Sequence, residues 1–254
     1  MNNVLAAQNS VIVKRMYMFV RGDNMAVVGI VAGGTGSRMG ADRPKQMLDL
    51  CGKPVLIRTA EAFAGHKQIE HIIIGIHADW YDEVKELAEK YFGSAVTVTK
   101  GGSDRNETVQ RIIETAKGFP DVNDDTIILT HDAVRPFVTE KMIDDSIEAM
   151  EKYAICTAAV SATDTIVVSK DGSTVSDFPI RSTMFQVQTP QTFRIGRFSE
   201  VYNGLSDKER EQITDVCKLF YRKGYEVGLV EGDRKNIKLT YPSDMAFAEK
   251  LFIS

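Results

Sequence analysis

The chain alternates short apolar runs with amphipathic stretches, beginning at residue 26. Runs that are apolar at successive positions favour buried strands, whereas apolar residues that recur every three or four positions favour helices. Buried strands separated by helices indicate an α/β fold whose mostly parallel sheet is covered on both faces, with ligands at the carboxyl ends of its strands. Strands are predicted over 26–32, 72–76, 96–98, 126–130 and 155–161, and helices over 54–64, 80–91, 109–116, 139–150 and from Pro242 onwards. Asn236-Ile237-Lys238 is predicted to lie in a late strand.

Two segments depart from this alternation. Between 162 and 192, short strand-like pieces surround a Lys-Asp-Gly-Ser turn, which predicts either a hairpin arm that projects from the domain or a simple surface loop. Residues 1–24 contain an apolar stretch that Lys14 and Arg15 interrupt, so it is too short and too charged to cross a bilayer, and it lacks the order of a signal peptide. We interpret 1–24 as a leader that is either disordered or an artefact of the choice of start codon, and 25–254 as a single domain.

Composition narrows the possible partners. The 31 Lys and Arg residues against 35 Asp and Glu residues give a net charge of −4, so the chain lacks the basic character of nucleic-acid-binding and membrane-surface proteins. Its three cysteines are widely spaced, which favours a reducing cytoplasm over a disulfide framework or a zinc site. An anionic ligand must therefore be held by a local cluster of donors.

A glycine-rich loop directly follows the first predicted strand, with the sequence Gly33-Gly34-Thr35-Gly36-Ser37. Glycines allow backbone N–H groups to converge on phosphate oxygens, although this loop matches neither the Walker A pattern nor GxGxxG. The loop continues through Arg38-Met39-Gly40, and Lys45 follows Arg38 by seven positions. Two cations so placed can neutralise charge at a reacting phosphorus and on its leaving oxygen, so the loop is a candidate nucleotide-phosphate site.

Two further polar segments follow predicted strands. Gly101-Gly102-Ser103-Asp104-Arg105 opens a helix; it supplies an N-cap in any case, and its N–H groups and arginine can also read a base or a ribose. Asp132 lies at the carboxyl end of a buried strand, where Mg²⁺ can be held by one carboxylate and substrate phosphates. We interpret His131 as orienting or structural rather than as a base, and Arg135 as a structural partner near the site.

The motifs occur in a recognisable order over about residues 27–252. AGGTGSRMG…RPKQ, GGSDRNET, THDAVRPF, ATDTI, TPQTF and NIKLT resemble the motifs of cytidylyltransferases that act on sugar-alcohol phosphates. Two related families share this frame, the ribitol-5-phosphate and the 2-C-methyl-D-erythritol 4-phosphate cytidylyltransferases. The resemblance implies a Rossmann-like, three-layer nucleotidyltransferase fold with a protruding β-arm that forms a homodimer. It further implies transfer of a cytidylyl group from CTP to a polyol phosphate with Mg²⁺.

The resemblance also implies roles for individual residues. Arg38 and Lys45 match the pair that stabilises the transition state, and Asp132 matches the metal ligand. Polyol phosphate would be bound by Arg181 and Lys238, and by Asp164 and Thr165, which the arm delivers to the neighbouring subunit. The residues implied in CTP binding are Val31, Ala32, Gly33, Gly34, Gly36, Ser37, Gly102, Ser103, Asp104, Arg105, Asn106, Thr108 and Ala133.

Several details favour the ribitol family. Ser103 stands where the methylerythritol enzymes more often carry an acidic residue, and Lys235 stands where they commonly carry a second acidic metal ligand. The segment 184–193 and Phe137 also resemble the ribitol type. We therefore expect D-ribitol 5-phosphate as the acceptor, with the methylerythritol activity as the alternative.

Two other hypotheses stay open on the residues alone. The glycine loop and lysine also suit transferases that use UTP or GTP. A non-catalytic Rossmann-type nucleotide-binding module would need an acidic residue about twenty positions beyond the loop, at a strand end. Glu61 lies in that region but inside a predicted helix, which argues against this module.

Overall fold

A computed structural model describes residues 25–34, 43–212 and 215–253. The predicted leader at 1–24 and the middle of the glycine loop therefore lie outside the described residues. The described strands are β1 (Ala26–Ala32), β2 (Asp49–Leu50), β3 (Lys53–Pro54), β4 (Ile69–Ile76), β5 (Val96–Lys100), β6 (Ile127–Asp132), β7 (Ile155–Ser161), β8 (Phe185–Arg194) and β9 (Val227–Glu231). The α-helices are α1 (Val55–Glu61), α2 (Tyr81–Phe92), α3 (Arg105–Ala116), α4 (Glu140–Glu148), α5 (Ile195–Asn203), α6 (Asp207–Gln212), α7 (Val216–Arg222) and α8 (Pro242–Ile253).

The predicted mostly parallel sheet is confirmed. Seven of the described strands form one sheet in the order β5-β4-β1-β6-β8-β7-β9, while β2 and β3 form a separate small pair. Strand β8 runs antiparallel to both of its neighbours, and the other pairings in the large sheet are parallel. The carboxyl ends of β1, β4, β5 and β6 consequently meet along one edge.

Alternating side chains of the strands fill a core on each face of the sheet. On β1, Val28 and Ile30 face the side that is covered by α1, α2 and α4, whereas Val27 faces the side that is covered by α3, α5 and α7. Each of these three valine and isoleucine side chains is at most 1% exposed. Burial on both faces explains why the central strands are apolar throughout.

Helix α3 approaches the sheet closely because glycines lie beneath it. A Cβ atom added to Gly75 of β4 would lie 2.8 Å from Thr108 Cγ2 and 2.9 Å from Ile112 Cδ1. A Cβ atom added to Gly29 of β1 would lie 2.8 Å from Ile112 Cγ2. Real Cβ contacts are longer than these distances, so the two glycines determine how near the start of α3 lies to the sheet edge.

The predicted arm is shorter in the structure than the segment 162–192. Residues 185–194 form β8, whose first half pairs with the end of β7. We call residues 162–184 the excursion; its own pairing is a single bridge between Val168 and Asp177. Its apolar side chains are largely exposed: Val167, Val168, Val175, Phe178 and Ile180.

The prediction that Asn236-Ile237-Lys238 lies in a late strand is wrong. The last strand, β9, ends at Glu231, and residues 232–241 form a loop. Asp233 turns the chain there, because its carboxylate accepts a hydrogen bond from the Lys235 N–H at 2.7 Å and its carbonyl accepts one from the Asn236 N–H at 3.0 Å. Within the described residues, no helix is long and apolar enough to cross a membrane.

The close packing of α3 predicts a steric effect on stability. We expect Gly75→Ala to lower the free energy of unfolding by about 1–3 kcal/mol, the usual range for overpacking a core. Gly204→Ala is the matched control, because its added Cβ would lie 3.5 Å from the nearest atom, and the change should stay within about 0.5 kcal/mol. Urea denaturation of both variants measures the difference, and equal stabilities would contradict the packing argument.

Candidate active site at the carboxyl edge of the sheet

The two predicted nucleotide loops lie side by side at this edge. Gly33 follows β1, and a Cβ atom added to it would lie 3.1 Å from Thr108 Oγ1 in the first turn of α3. Val31 pairs with Asp132 across β1 and β6, and its carbonyl accepts a hydrogen bond from the Ala133 N–H at 3.1 Å. The structure thus brings together the residues predicted from three separate motifs.

The start of α3 is ordered by two reciprocal caps. The Asp104 carboxylate accepts a hydrogen bond from the Glu107 N–H at 2.9 Å, and the Glu107 carboxylate accepts bonds from the N–H and hydroxyl of Ser103, each at 2.7 Å. The bonds from Ser103 hold the pKa of Glu107 below its usual value. Thr108 Oγ1 accepts a bond from the Gly102 N–H at 3.1 Å and donates to the Asp104 carbonyl at 2.7 Å. These bonds hold the polar loop in a defined conformation.

Gln46 holds the two ends of the glycine loop together. Its side chain is buried, and its amide group donates hydrogen bonds to the carbonyl of Ala32 at 2.7 Å and to that of Gly34 at 3.0 Å. Lys45 is its chain neighbour and begins the turn Lys45–Met47. The glycine loop therefore begins and ends close to Lys45. Gln46 was predictable only as part of a motif, because nothing in local sequence reveals which carbonyls its amide contacts.

The far end of this loop is attached to α2. Arg43 forms an ion pair with Glu83, and its guanidinium lies 5.6 Å from the centre of the Trp80 ring. Gly36, Ser37 and Arg38 lie outside the described residues, so their predicted roles stay predictions.

Asp132 is the centre of a buried charge cluster. Among the described residues, three cations pair with its carboxylate: Lys238 Nζ at 2.9 Å, Arg135 Nε at 3.3 Å and Arg105 Nε at 3.7 Å. Burial raises the pKa of Asp132, but the charges of Arg105, Lys238 and Arg135 outweigh this effect and hold the pKa well below its usual value. Asp132 is therefore ionised at neutral pH. Its backbone N–H donates to Thr189 Oγ1 at 3.1 Å, which fixes its position on β6.

His131 is neutral and enclosed. Burial lowers its pKa to about 4, its Nε2 lies 2.9 Å from the Arg135 carbonyl oxygen, and its ring packs edge-on against Phe63 with 5.0 Å between centres. Arg135 in turn donates a 2.7 Å hydrogen bond to the Asn236 carbonyl. These contacts agree with the interpretation of His131 and Arg135 as structural groups beside the site, and their roles stay predictions.

The predicted polyol-phosphate residues divide into two groups. Lys238 joins the cluster at Asp132, whereas Asp164, Thr165 and Arg181 are exposed residues of the excursion. Glu61, considered for the dinucleotide-module alternative, lies at the end of α1 and pairs with Lys53 and Arg58. It therefore does not lie at a strand end.

The single carboxylate of Asp132 suits a metal ion that is coordinated mainly by substrate phosphates and water. Within the described ranges, no group of three or more His, Cys, Asp or Glu side chains is placed to bind a metal. Mg²⁺ commonly takes one or two carboxylates and completes its shell with phosphate oxygens and water. The ionised Asp132 fits that role, and the Lys238 side chain that pairs with it is 43% exposed.

Comparison with known proteins assigns the chain to a family. Residues 25–253 match the family model of 2-C-methyl-D-erythritol 4-phosphate cytidylyltransferase. A ribitol-5-phosphate cytidylyltransferase of Streptococcus pneumoniae (strain ATCC 700669 / Spain 23F-1) is 42% identical over 231 residues, which cover 89% of this chain and 98% of that protein. The same enzyme of serotype 19F strain G54 matches at equal identity and coverage.

Solved structures show the same architecture. The 4-diphosphocytidyl-2C-methyl-D-erythritol synthase of Anaerococcus prevotii is 27% identical, with a TM-score of 0.73 over 91% of this chain and 97% of that chain. The 2-C-methyl-D-erythritol 4-phosphate cytidylyltransferase of Thermus thermophilus is 25% identical, with a TM-score of 0.70 over 91% of this chain and all of that one. The predicted Rossmann-like nucleotidyltransferase fold is confirmed. The chain is a nucleotidyltransferase that belongs to the 2-C-methyl-D-erythritol 4-phosphate cytidylyltransferase family.

Proposed function

We propose that this protein transfers the cytidylyl group of CTP to D-ribitol 5-phosphate, which gives CDP-ribitol and pyrophosphate. The observation that carries the proposal is the 42% identity with ribitol-5-phosphate cytidylyltransferases over 98% of their length, against 25–27% with the methylerythritol enzymes of known structure. The site's charge supports it. Both substrates are polyanions, and Arg105, Arg135 and Lys238 concentrate positive charge in a chain whose net charge is negative.

The reaction needs no strong general base. A phosphate oxygen of the polyol phosphate attacks the α-phosphorus of CTP; this O–P bond forms while the bond to the departing pyrophosphate breaks. The attacking monoester is already an anion at neutral pH, because its second pKa is about 6. The enclosed, neutral His131 is therefore not required for proton removal. Catalysis depends on positioning and on neutralising negative charge.

Arg38 and Lys45 are proposed to supply this neutralisation. Arg38 follows the first glycines of the loop and Lys45 lies at its far end, next to Gln46, which holds the two ends of the loop together. The predicted CTP residues Gly102–Thr108 lie beside the start of the loop. Mg²⁺, held by Asp132 and by the CTP phosphates, would add further positive charge at the triphosphate. Lys238 would bind the phosphate of the polyol substrate.

The excursion is proposed to form a homodimer and to carry Asp164, Thr165 and Arg181 to the partner's site. Two apolar side chains of the excursion support this proposal: Phe178 is 66% exposed and Ile180 is 71% exposed. Large exposed apolar patches commonly mark protein interfaces. A nucleoside triphosphate substrate and three unpaired cysteines also fit a cytoplasmic location.

The methylerythritol activity is the second candidate, because the matching family model and the structural neighbours carry that name. A pyrophosphate-release assay separates the two. We expect turnover with CTP and D-ribitol 5-phosphate, little turnover with 2-C-methyl-D-erythritol 4-phosphate, and little with ATP, GTP or UTP. Activity with only the methylerythritol substrate would reverse the assignment, and inactivity of folded protein with both would contradict cytidylyl transfer.

The proposed role of Lys45 predicts a defect in turnover. Lys45→Ala should lower kcat by on the order of 10²–10³, the scale for the loss of one preorganised donor. Lys85→Ala, at an exposed position of α2, is the matched control and should leave kcat unchanged. Steady-state kinetics with saturating CTP and polyol phosphate test this, and a near-normal kcat for Lys45→Ala would show that the assigned role is wrong.

The proposed dimer predicts that charge on the excursion separates the subunits. We expect the double substitution Phe178→Asp and Ile180→Asp to halve the mass measured by light scattering and to lower kcat/KM, since the partner's residues would leave the site. Tyr221→Asp, at an aromatic residue that is 72% exposed on α7, should retain the wild-type mass. A wild-type protein that is monomeric at assay concentrations would contradict the proposal.

A further inference from the structure

The loop that carries Lys238 is attached to the sheet by side chains that the function proposed above does not use. This loop, residues 232–241, follows β9 and contacts the middle of β8 and the segment that follows β6. Lys238 Nζ lies 2.9 Å from the Asp132 carboxylate, yet the Lys238 side chain is long and 43% exposed. A long exposed lysine loses considerable rotamer entropy when it is held in one place, so its position depends on a fixed backbone.

Asn236 provides the main attachment. The residue is fully buried, and its side-chain Nδ2 donates hydrogen bonds to the Thr189 carbonyl at 2.9 Å and to Gln188 Oε1 at 3.2 Å, both on β8. Its backbone carbonyl accepts the 2.7 Å bond from Arg135, which itself pairs with Asp132. Asn236 therefore connects the loop to β8 and to Arg135, in the segment that follows β6.

Two other contacts complete the attachment. Gln188, whose Oε1 accepts from Asn236, donates through Nε2 to the Asp233 carbonyl at 2.8 Å. Beyond Lys238, the Leu239 N–H donates to the Val134 carbonyl at 3.0 Å. Lys238 thus lies between two anchored points, Asn236 on one side and Leu239 on the other.

We propose that Asn236 is a positioning residue, which through its amide holds Lys238 at the phosphate of the acceptor substrate. The inference rests on the proposed function, because it assigns Lys238 to that phosphate. The side-chain amide of Asn236 contacts β8 and would affect the substrate through the position of Lys238, while the backbone carbonyl that accepts from Arg135 is kept in side-chain variants. Its removal should therefore affect the acceptor substrate and leave CTP binding intact.

A double-mutant cycle on the full-length enzyme tests this. Asn236→Ala removes both side-chain hydrogen bonds to β8, so the KM for polyol phosphate should rise about tenfold, with the KM for CTP within about twofold of wild type. In the Lys238→Ala background, the same substitution should cause no further rise. Asn203→Ala, at an exposed asparagine of α5, is the matched control and should change neither KM.

The possible outcomes are distinct. If Asn236→Ala raises both KM values alike, or if its effect persists in the Lys238→Ala background, the positioning role is wrong. If wild type lacks turnover with either polyol phosphate, the proposed function itself fails. If Asn236→Ala does not fold, Gln188→Ala tests the same contact, because it removes one acceptor of the Asn236 amide. Gln188→Ala should raise the KM for polyol phosphate by less, and this rise should vanish in the Lys238→Ala background. Additive effects of Gln188→Ala and Lys238→Ala would overturn the proposal.

Discussion

A buried carboxylate beside a polyanion-binding surface imposes the main constraint on this structure. Asp132 is 8% exposed at the end of β6, and an isolated charge there would be costly. In the described part of the chain, Arg105, Arg135 and Lys238 compensate it from three different elements. Asp132 in turn holds these cations close together before any substrate arrives. The site is thus electrostatically organised in advance, which is the arrangement that phosphoryl-group chemistry requires.

Packing and hydrogen bonds elsewhere in the fold position the residues at the carboxyl edge of the sheet. Gly29 and Gly75 let α3 approach the sheet, which brings Arg105 within reach of Asp132. Gln46 closes the glycine loop beside Lys45, and Asn236 attaches the loop that carries Lys238. The negative net charge of the whole chain is compatible with anionic substrates because Arg105, Arg135 and Lys238 concentrate positive charge at this edge.

Much of this was predictable from local patterns. The apolar runs identified the central strands, and their carboxyl ends located the glycine loop and Asp132. Contacts between residues distant in sequence were not predictable: Asn236 and Arg135 are 101 positions apart, and Asp132 and Thr189 are 57 apart. The late strand was predicted wrongly because the apolar and polar alternation around Ile237 resembles a strand, whereas Asp233 turns the chain into a loop. The arm prediction extended too far because the β-type residues after 184 belong to the sheet itself.

The ionisation of Asp132 is the most direct test of this account. The carboxyl ¹³C resonance of Asp132, assigned by its absence from the spectrum of Asp132→Asn, can be followed as the pH is lowered from 7. The account predicts that this resonance stays at its ionised position through the usual titration range of aspartate, because the surrounding cations hold its pKa low. A midpoint near 3.8, the ordinary value, would show that the cluster does not stabilise the charge and would contradict the account.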